Sequence, residues 1–117
     1  GVTYLVSGKA YYDLRAALEK SKGDGYRIVR VEELYPFPEV HLSQMLKGNG
    51  SSPLVWVQEE PENAGAYRYM QKLVSERLKG TLQYAGRPEA AGVATGSHKR
   101  HSYEVEQYIK SALSYLK

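Results

Sequence analysis

Three glutamates that stand close together are the side chains of this sequence best suited to acid–base or metal chemistry. Glu59, Glu60 and Glu62 fall within segment 58–65, which reads Gln-Glu-Glu-Pro-Glu-Asn-Ala-Gly. A carboxylate there could act as a general base or as a ligand for Mg²⁺, but the motif contains no His, Lys or Asp partner. The glutamates also precede a predicted helix, whose positive end favours them, and capping alone accounts for them. We therefore assign no catalytic residue, cofactor-binding residue or metal ligand here.

Glycines and basic side chains are concentrated in segment 86–101, which is predicted to be a loop of about fifteen residues, longer than the usual connection. Arg87, His98 and Arg100 are hydrogen-bond donors ahead of a helix start, and the glycines permit close backbone approach, so the segment could hold an anion. It matches neither a Walker loop nor a GxGxxG fingerprint. His98 and His101 have the spacing of a metal-binding pair, but no third ligand is evident. We favour a solvated or interface loop for these histidines.

Two prolines alternate with two aromatic residues in segment 35–38. Pro36 and Pro38 lack N–H donors and restrict the residues before them, which indicates a rigid, partly extended path instead of a helix. Tyr35 and Phe37 could then bury against a surface outside the local unit. A turn packed on its own domain is the alternative, and the sequence leaves both open.

Four short strands are predicted, each followed by a helix. They cover residues 2–7, 26–31, 54–58 and 82–85. The third begins with a continuous apolar run, which is typical of a strand covered on both sheet faces, so we expect Trp56 to be buried. Repeated strand–helix alternation predicts an α/β fold, a three-layer helix–sheet–helix sandwich with a mainly parallel sheet of about four to five strands. The three segments described above would all leave the carboxyl-terminal edge of that sheet, where ligands and partners meet.

The ends of the predicted helices follow from capping residues and glycines. The second helix, which is short, should end just before Gly48. The third should begin at an Asn63 N-cap and end at Gly80, and Ser102 should cap the fourth. The apolar faces are Tyr11, Leu14, Ala17 and Leu18 in the first helix, Leu42, Met45 and Leu46 in the second, Ala66, Tyr67, Met70, Leu73, Val74 and Leu78 in the third, and Val105, Tyr108, Ile109, Ala112, Leu113 and Leu116 in the last.

The composition is that of an ordinary globular protein. The chain has 117 residues, 42% apolar and 25% charged, which fits one domain. A net charge of +3 without a basic stripe gives no support for a nucleic-acid partner, and no apolar run approaches the ~20 residues of a membrane span. The absence of cysteine excludes disulfides and thiolate metal sites. Because the sequence enters a strand directly after Gly1, we expect a single domain, residues 1–117, excised from a longer chain.

Tyrosine is unusually abundant, with eleven Tyr against one Phe and one Trp. A tyrosine side chain has an apolar ring and a polar hydroxyl. We therefore expect many of these rings at the edge of the core or in an interface, in preference to contact with a ligand.

Three segments of the chain form a combination of motifs. They read RVEELYPFP at residues 30–38, VWVQEEPENAGA at residues 55–66, and YAGRP at residues 84–88, leading to Thr95 and Gly96. Together they resemble the C-terminal domain of 2-oxoglutarate dehydrogenase, the thiamine-dependent first component of its multienzyme complex. The opening segment 6–14 is also similar to the start of that domain, so the resemblance covers nearly the whole chain.

Two departures from the family pattern concern the candidate contact residues. The family usually has Ser-Ala-Ser-Pro where this chain has Ala-Ala-Gly-Val at residues 90–93, which removes hydroxyls that would strengthen an anion site. The family often has Trp in place of Tyr67, a change that preserves an aromatic anchor. The candidates for interdomain or anion contact are Tyr35, Phe37, Glu59, Glu60, Tyr67, Arg87, His98 and Arg100.

The resemblance implies a transketolase-like C-terminal fold and a parent oxidoreductase of the citric acid cycle. That parent decarboxylates 2-oxoglutarate on thiamine diphosphate and Mg²⁺, then succinylates the lipoyl group of a partner. The family's cofactor lies between two other domains at a dimer interface, so this chain is implied to be a scaffolding and dimerisation domain. It would be inactive alone, with no catalytic, cofactor-binding or metal residue and no cofactor of its own.

The implied partners are the remaining domains of the same chain, a homodimer mate and the lipoyl succinyltransferase component, without nucleic acid or membrane. The compartment would be the cytoplasm in a bacterium or the mitochondrial matrix in a eukaryote. Three alternatives stay open. They are the corresponding domain of a 2-oxoadipate-type dehydrogenase, a free-standing module that binds a small anion or nucleotide at segment 86–101, and a plain interaction domain.

Overall fold

The computed structural model describes residues 1–21, 25–32, 36–49, 52–87 and 98–116. In this part of the chain four strands alternate with four helices. In order, they are β1 (Val2–Val6), α1 (Ala10–Ser21), β2 (Tyr26–Arg30), α2 (Glu39–Asn49), β3 (Leu54–Pro61), α3 (Tyr67–Leu78), β4 (Gln83–Arg87) and α4 (His98–Leu113). The strands form one parallel sheet in the order β2-β1-β3-β4. The predicted α/β fold is confirmed, with every pairing parallel.

Helices cover both faces of the sheet, and each face has its own hydrophobic core. Because side chains alternate along a strand, Tyr4 and Val57 point to the face covered by α1 and α4, whereas Leu5 and Trp56 point to the face covered by α2 and α3. Trp56 is 1% exposed, which confirms its predicted burial. The three-layer sandwich therefore follows from strands that are apolar on both faces.

Two tyrosines lie fully inside the core. Many of the tyrosines are expected at the edge of the core, but Tyr4 and Tyr108 are both fully buried. Burial is tolerated because each hydroxyl donates a hydrogen bond, from Tyr4 to the carbonyl oxygen of Ala112 at 2.8 Å and from Tyr108 to Oδ2 of Asp13. These bonds join α4 to β1 and to α1. Burial raises the pKa of Tyr4 to about 12, and burial together with the Asp13 hydrogen bond raises that of Tyr108.

Strand β3 is longer than its apolar run. It continues to Pro61 instead of ending at Gln58, so Glu59 and Glu60 lie in the strand and the predicted strand end at residue 58 is wrong. The physical reason is pairing with β4, which resumes at Pro61 and Arg87 after a register shift beyond Val57. Proline is compatible with this irregular end of the ladder, since it has no N–H to donate.

The start of α3 also differs from the prediction. Its N-cap is Ala66, which makes no side-chain capping bond, so Asn63 does not cap the helix. No acidic residue lies in the first turn of α3. The helix-dipole explanation for Glu59, Glu60 and Glu62 is therefore wrong, because the strand and a turn separate them from the helix.

Two further helix boundaries correct the sequence predictions. Helix α2 continues through Gly48 to Asn49, since a glycine can remain helical where no turn is required. Helix α4 begins at His98, so Ser102 lies inside the helix and residues 98–101 are helical instead of loop. No helix in the described ranges is long and apolar enough to cross a membrane.

Candidate functional site

The carboxyl-terminal edge of the parallel sheet gathers the segments that the sequence singled out. Phe37 follows β2, Glu59 and Glu60 lie at the end of β3, and Arg87 ends β4. Parallel strands place their carboxyl ends on one side of a sheet, and partners commonly contact that side. We name residues 58–67 the edge turn, because this segment contains most of the described candidates.

Gln58 organises the edge turn. Its side chain is 4% exposed, and its Oε1 accepts hydrogen bonds from the indole Nε1–H of Trp56 at 2.9 Å and the backbone N–H of Tyr67 at 3.0 Å. Its Nε2 donates to the carbonyl oxygens of Pro61 and Ala64, both at 2.8 Å. Sequence reasoning missed this residue. The sequence signal that could have revealed it is an amide side chain directly after an apolar run that is buried on both faces of the sheet.

Two glycines allow close approach around Gln58. Gly65 has a φ of +68°, and a Cβ at this position would lie 2.9 Å from Oε1 of Gln58 and 3.0 Å from Oε2 of Glu60. At Gly86 of β4 a Cβ would lie 2.8 Å from the carbonyl oxygen of Gln58 and 2.5 Å from the hydroxyl of Tyr84. The close packing at this edge therefore requires glycine, which has no Cβ, at both positions.

Tyr67, the last residue of the edge turn, is half-buried and belongs to a network of tyrosines. Its ring lies 4.9 Å from that of Tyr84, and its hydroxyl donates to the carbonyl oxygen of Leu82 at 3.1 Å. The Tyr84 hydroxyl donates to the carbonyl oxygen of Glu60 at 3.2 Å. Burial, and next the carboxylate of Glu62, raise the pKa of Tyr67. This network fixes the ring, which stays partly exposed.

The carboxylates differ in exposure. Glu60 is exposed and Glu59 is half-buried, and both add negative charge near Tyr108, whose pKa burial and Asp13 raise. Within the described ranges, no group of three or more His, Cys, Asp or Glu side chains is arranged to hold a metal ion. The exposed carboxylate of Glu60 is accessible for charge pairing with another surface.

Phe37 packs within its own domain. It is 9% exposed and belongs to the core under α2 and α3, and the guanidinium of Arg77 lies 5.9 Å from its ring centroid. It also borders a cleft of about 500 Å³ with Val31, Leu42 and Met45. Of the two readings that the sequence left open for segment 35–38, the structure supports packing on the same domain for this residue.

A cation–aromatic cluster at the end of β2 was not anticipated. The guanidinium carbon of Arg30 lies 5.0 Å and 5.2 Å from the ring centroids of Tyr11 and Tyr12, and Arg30 also pairs with Glu32. Tyr12 is 57% exposed. Exposed contacts of this kind contribute about 0.5–1 kcal/mol, so the cluster adds little to stability.

The side chains of four candidate contact residues lie outside the described part of the structure. Tyr35 lies outside the described residues. Arg87 ends β4, and His98 and Arg100 lie in the first turn of α4, but their side chains are outside the described part of the structure. The anion-contact prediction for segment 86–101 stays a prediction.

The chain is similar to known proteins over nearly its whole length. Residues 2–113 match the family model described as 2-oxoglutarate dehydrogenase C-terminal. The chain belongs to this family. The 2-oxoglutarate dehydrogenase E1 component of Cupriavidus necator is 34% identical over 116 residues, covering 97% of this chain and 12% of that protein. That of Brucella anthropi is 37% identical over 115 residues, covering 93% and 12%.

A solved structure agrees with the family assignment at the level of the fold. A split-gene transketolase, described as an inactive beta4 tetramer, has a TM-score of 0.71 over 97% of this chain and 37% of its own. At 15% identity this likeness shows the shared fold alone. The resemblance to the 2-oxoglutarate dehydrogenase C-terminal family and its transketolase-like fold are confirmed. This chain spans 12% of the length of each of these two relatives.

Proposed function

We propose that this chain works as the C-terminal scaffolding and dimerisation domain of a larger 2-oxoglutarate dehydrogenase E1 component. The family match across residues 2–113 is the observation that carries the proposal. The similar 2-oxoglutarate dehydrogenase E1 components are longer proteins, of which this chain covers 12%. The whole enzyme would decarboxylate 2-oxoglutarate with thiamine diphosphate and Mg²⁺ and succinylate the lipoyl group of its partner. It would work as a homodimer with the lipoyl succinyltransferase component, without nucleic acid or membrane, in the cytoplasm or mitochondrial matrix.

The cofactor is assigned to the other domains of that enzyme. The described residues offer no group of three or more His, Cys, Asp or Glu side chains arranged to hold a metal ion, and no step of the reaction is assigned to them. What this chain supplies is a rigid surface. The exposed Glu60 and the half-buried Tyr67 lie on the edge turn, whose backbone is held by Gln58 and Tyr84. A surface ordered before contact loses little conformational entropy on binding, which favours its use as an interface.

The first test concerns the cofactor. The reading frame should continue upstream of the codon for Gly1 through the remaining domains. Calorimetry with thiamine diphosphate and Mg²⁺ should detect binding of about micromolar affinity to the full polypeptide and none to residues 1–117. A decarboxylation assay with 2-oxoglutarate should give the same contrast. Micromolar cofactor binding by residues 1–117 alone would contradict the proposal.

The second test concerns the edge turn as an interface. In the full polypeptide, Glu60→Lys reverses an exposed charge and should weaken dimer or domain assembly by about tenfold, because charge complementarity is lost across the contact. Glu76→Lys is the matched control, since Glu76 is exposed near the opposite end of α3. Assembly is measured by sedimentation across a concentration series.

Residues 1–117 carrying either substitution should keep the wild-type melting temperature, since surface changes alter stability little. Equal assembly by both variants would show that the edge turn is not an interface. Retained assembly with lost affinity for acetyl-CoA or a nucleotide would indicate a ligand site instead.

A further inference from the structure

We propose that Gln58 is a positioning residue, whose buried side-chain amide holds the edge turn in the shape that the neighbouring domain contacts. The inference rests on the proposed function, because it names the residue that presets the surface assigned to the contact. Gln58 itself is 4% exposed, so it would act on the contact only through the turn that it holds.

The amide of Gln58 uses all of its hydrogen-bonding capacity. An amide oxygen has two acceptor sites and the NH₂ group has two donors. The oxygen is satisfied by Trp56 and Tyr67, at 2.9 Å and 3.0 Å. The nitrogen is satisfied by the carbonyl oxygens of Pro61 and Ala64, both at 2.8 Å, and lies 3.3 Å from that of Glu60. One side chain therefore joins the strand, the turn and the first residue of α3.

Neither glutamate nor methionine, the residues closest to glutamine in length, can reproduce this arrangement. A glutamate carboxylate has only acceptor oxygens at this position. The carbonyl oxygens of Pro61 and Ala64, which are acceptors themselves, would therefore lose the N–H donors of the Gln58 amide. A methionine has a similar length but would leave the buried indole N–H of Trp56 and the N–H of Tyr67 without their acceptor. In either variant the turn would lose the Gln58 hydrogen bonds to Pro61 and Ala64 that fix its path.

Gly65 shows how closely the turn fits the amide. Its φ of +68° favours glycine, and a Cβ there would lie 2.9 Å from Oε1 of Gln58. The turn therefore folds directly against the amide oxygen. Gly8 provides a comparison, because its φ is +62° and no atom lies within 4 Å of a Cβ placed there.

Trp56 connects the edge turn to the core and provides a spectroscopic signature. Its ring lies in the core under α2 and α3, yet its N–H donates to the same oxygen that accepts from Tyr67. Because the sequence contains one Trp, the NMR spectrum should show one indole N–H resonance. That resonance reports directly on the Gln58 amide.

The experiment compares Gln58→Met with Val74→Ala, a substitution in the same core that lies near the far end of α3. Each variant is measured for unfolding by denaturant and for the indole N–H resonance as residues 1–117, and for assembly as the full polypeptide. Gln58→Met should shift the indole resonance upfield, speed its exchange with solvent and weaken assembly by about tenfold. Val74→Ala should lose stability but keep both the resonance and the assembly.

The outcomes separate the positioning role from a general loss of stability. Equal weakening of assembly by Gln58→Met and Val74→Ala would overturn the proposal, as would unchanged assembly with a shifted resonance. If Gln58→Met does not fold, Gly65→Ala with Gly8→Ala as its control replaces it, and only Gly65→Ala should weaken assembly. Failure of the proposed function would give a result different from failure of the Gln58 proposal, because Glu60→Lys would then assemble as well as Glu76→Lys.

Discussion

Replacing Trp56 with alanine is expected to lower the free energy of unfolding by about 3–5 kcal/mol, the usual cost of a large-to-small change in a core. The ring is 1% exposed and shares its core with Met70 and Leu42. Its removal leaves a cavity between β3 and the helices α2 and α3, which a parallel sheet covered on both faces cannot close by a small movement. The loss is measured by urea unfolding followed by circular dichroism.

Trp56→Phe is the matched variant for that experiment. It keeps most of the apolar volume but leaves Oε1 of Gln58 without one of its two donors, so a smaller loss of about 1–2 kcal/mol is expected. An unchanged unfolding midpoint in Trp56→Ala would show that the ring does not hold the core together.

Alkaline pH is expected to destabilise the domain through its buried tyrosines. Burial raises the pKa of Tyr4 from 10.0 to about 12, so the unfolded chain loses this proton before the folded chain does. The stability that Tyr4 contributes is complete below pH 10 and falls as the pH rises from 10 to about 12. Two pKa units correspond to about 3 kcal/mol. Tyr108, whose pKa is raised by burial and then by Asp13, adds to this loss.

The measurement is the free energy of unfolding, determined with urea at several pH values through this range. Tyr4→Phe removes the hydroxyl and its bond to Ala112, so the variant should start from lower stability but decline less steeply as the pH rises. Absorbance of tyrosinate should rise together with the loss of helical signal. Identical slopes for Tyr4→Phe and the wild type would contradict the assigned cause.

The two buried tyrosines also bear on how α4 is attached. Tyr4 bonds to Ala112 of α4, and Tyr108 of α4 bonds to Asp13 of α1. Helix α4 is thereby fixed to β1 and α1 by directed bonds in addition to its apolar face. In the proposed function this matters because α4 and the edge turn must keep their positions when a neighbouring domain contacts the sheet edge.

The sequence by itself determined the elements and the family. Apolar runs and helical spacing are local properties, so the order of strands and helices and the burial of Trp56 could be predicted without knowing the partners of any strand. The family resemblance was likewise readable, because it depends on motifs whose order and spacing are in the chain. The identity of the edge as the carboxyl-terminal side of a parallel sheet followed from the same alternation.

Only the tertiary structure decided the boundaries and the organising residues of that edge. Strand β3 extends to Pro61 because β4, which comes later in the chain, resumes pairing there. Tyr4 and Tyr108 could be buried because their hydroxyls meet partners 108 and 95 residues away. Gln58 gained its role because a turn folded back onto its amide. In each case the deciding contact joins atoms brought together by folding, and local propensity carries no information about such contacts.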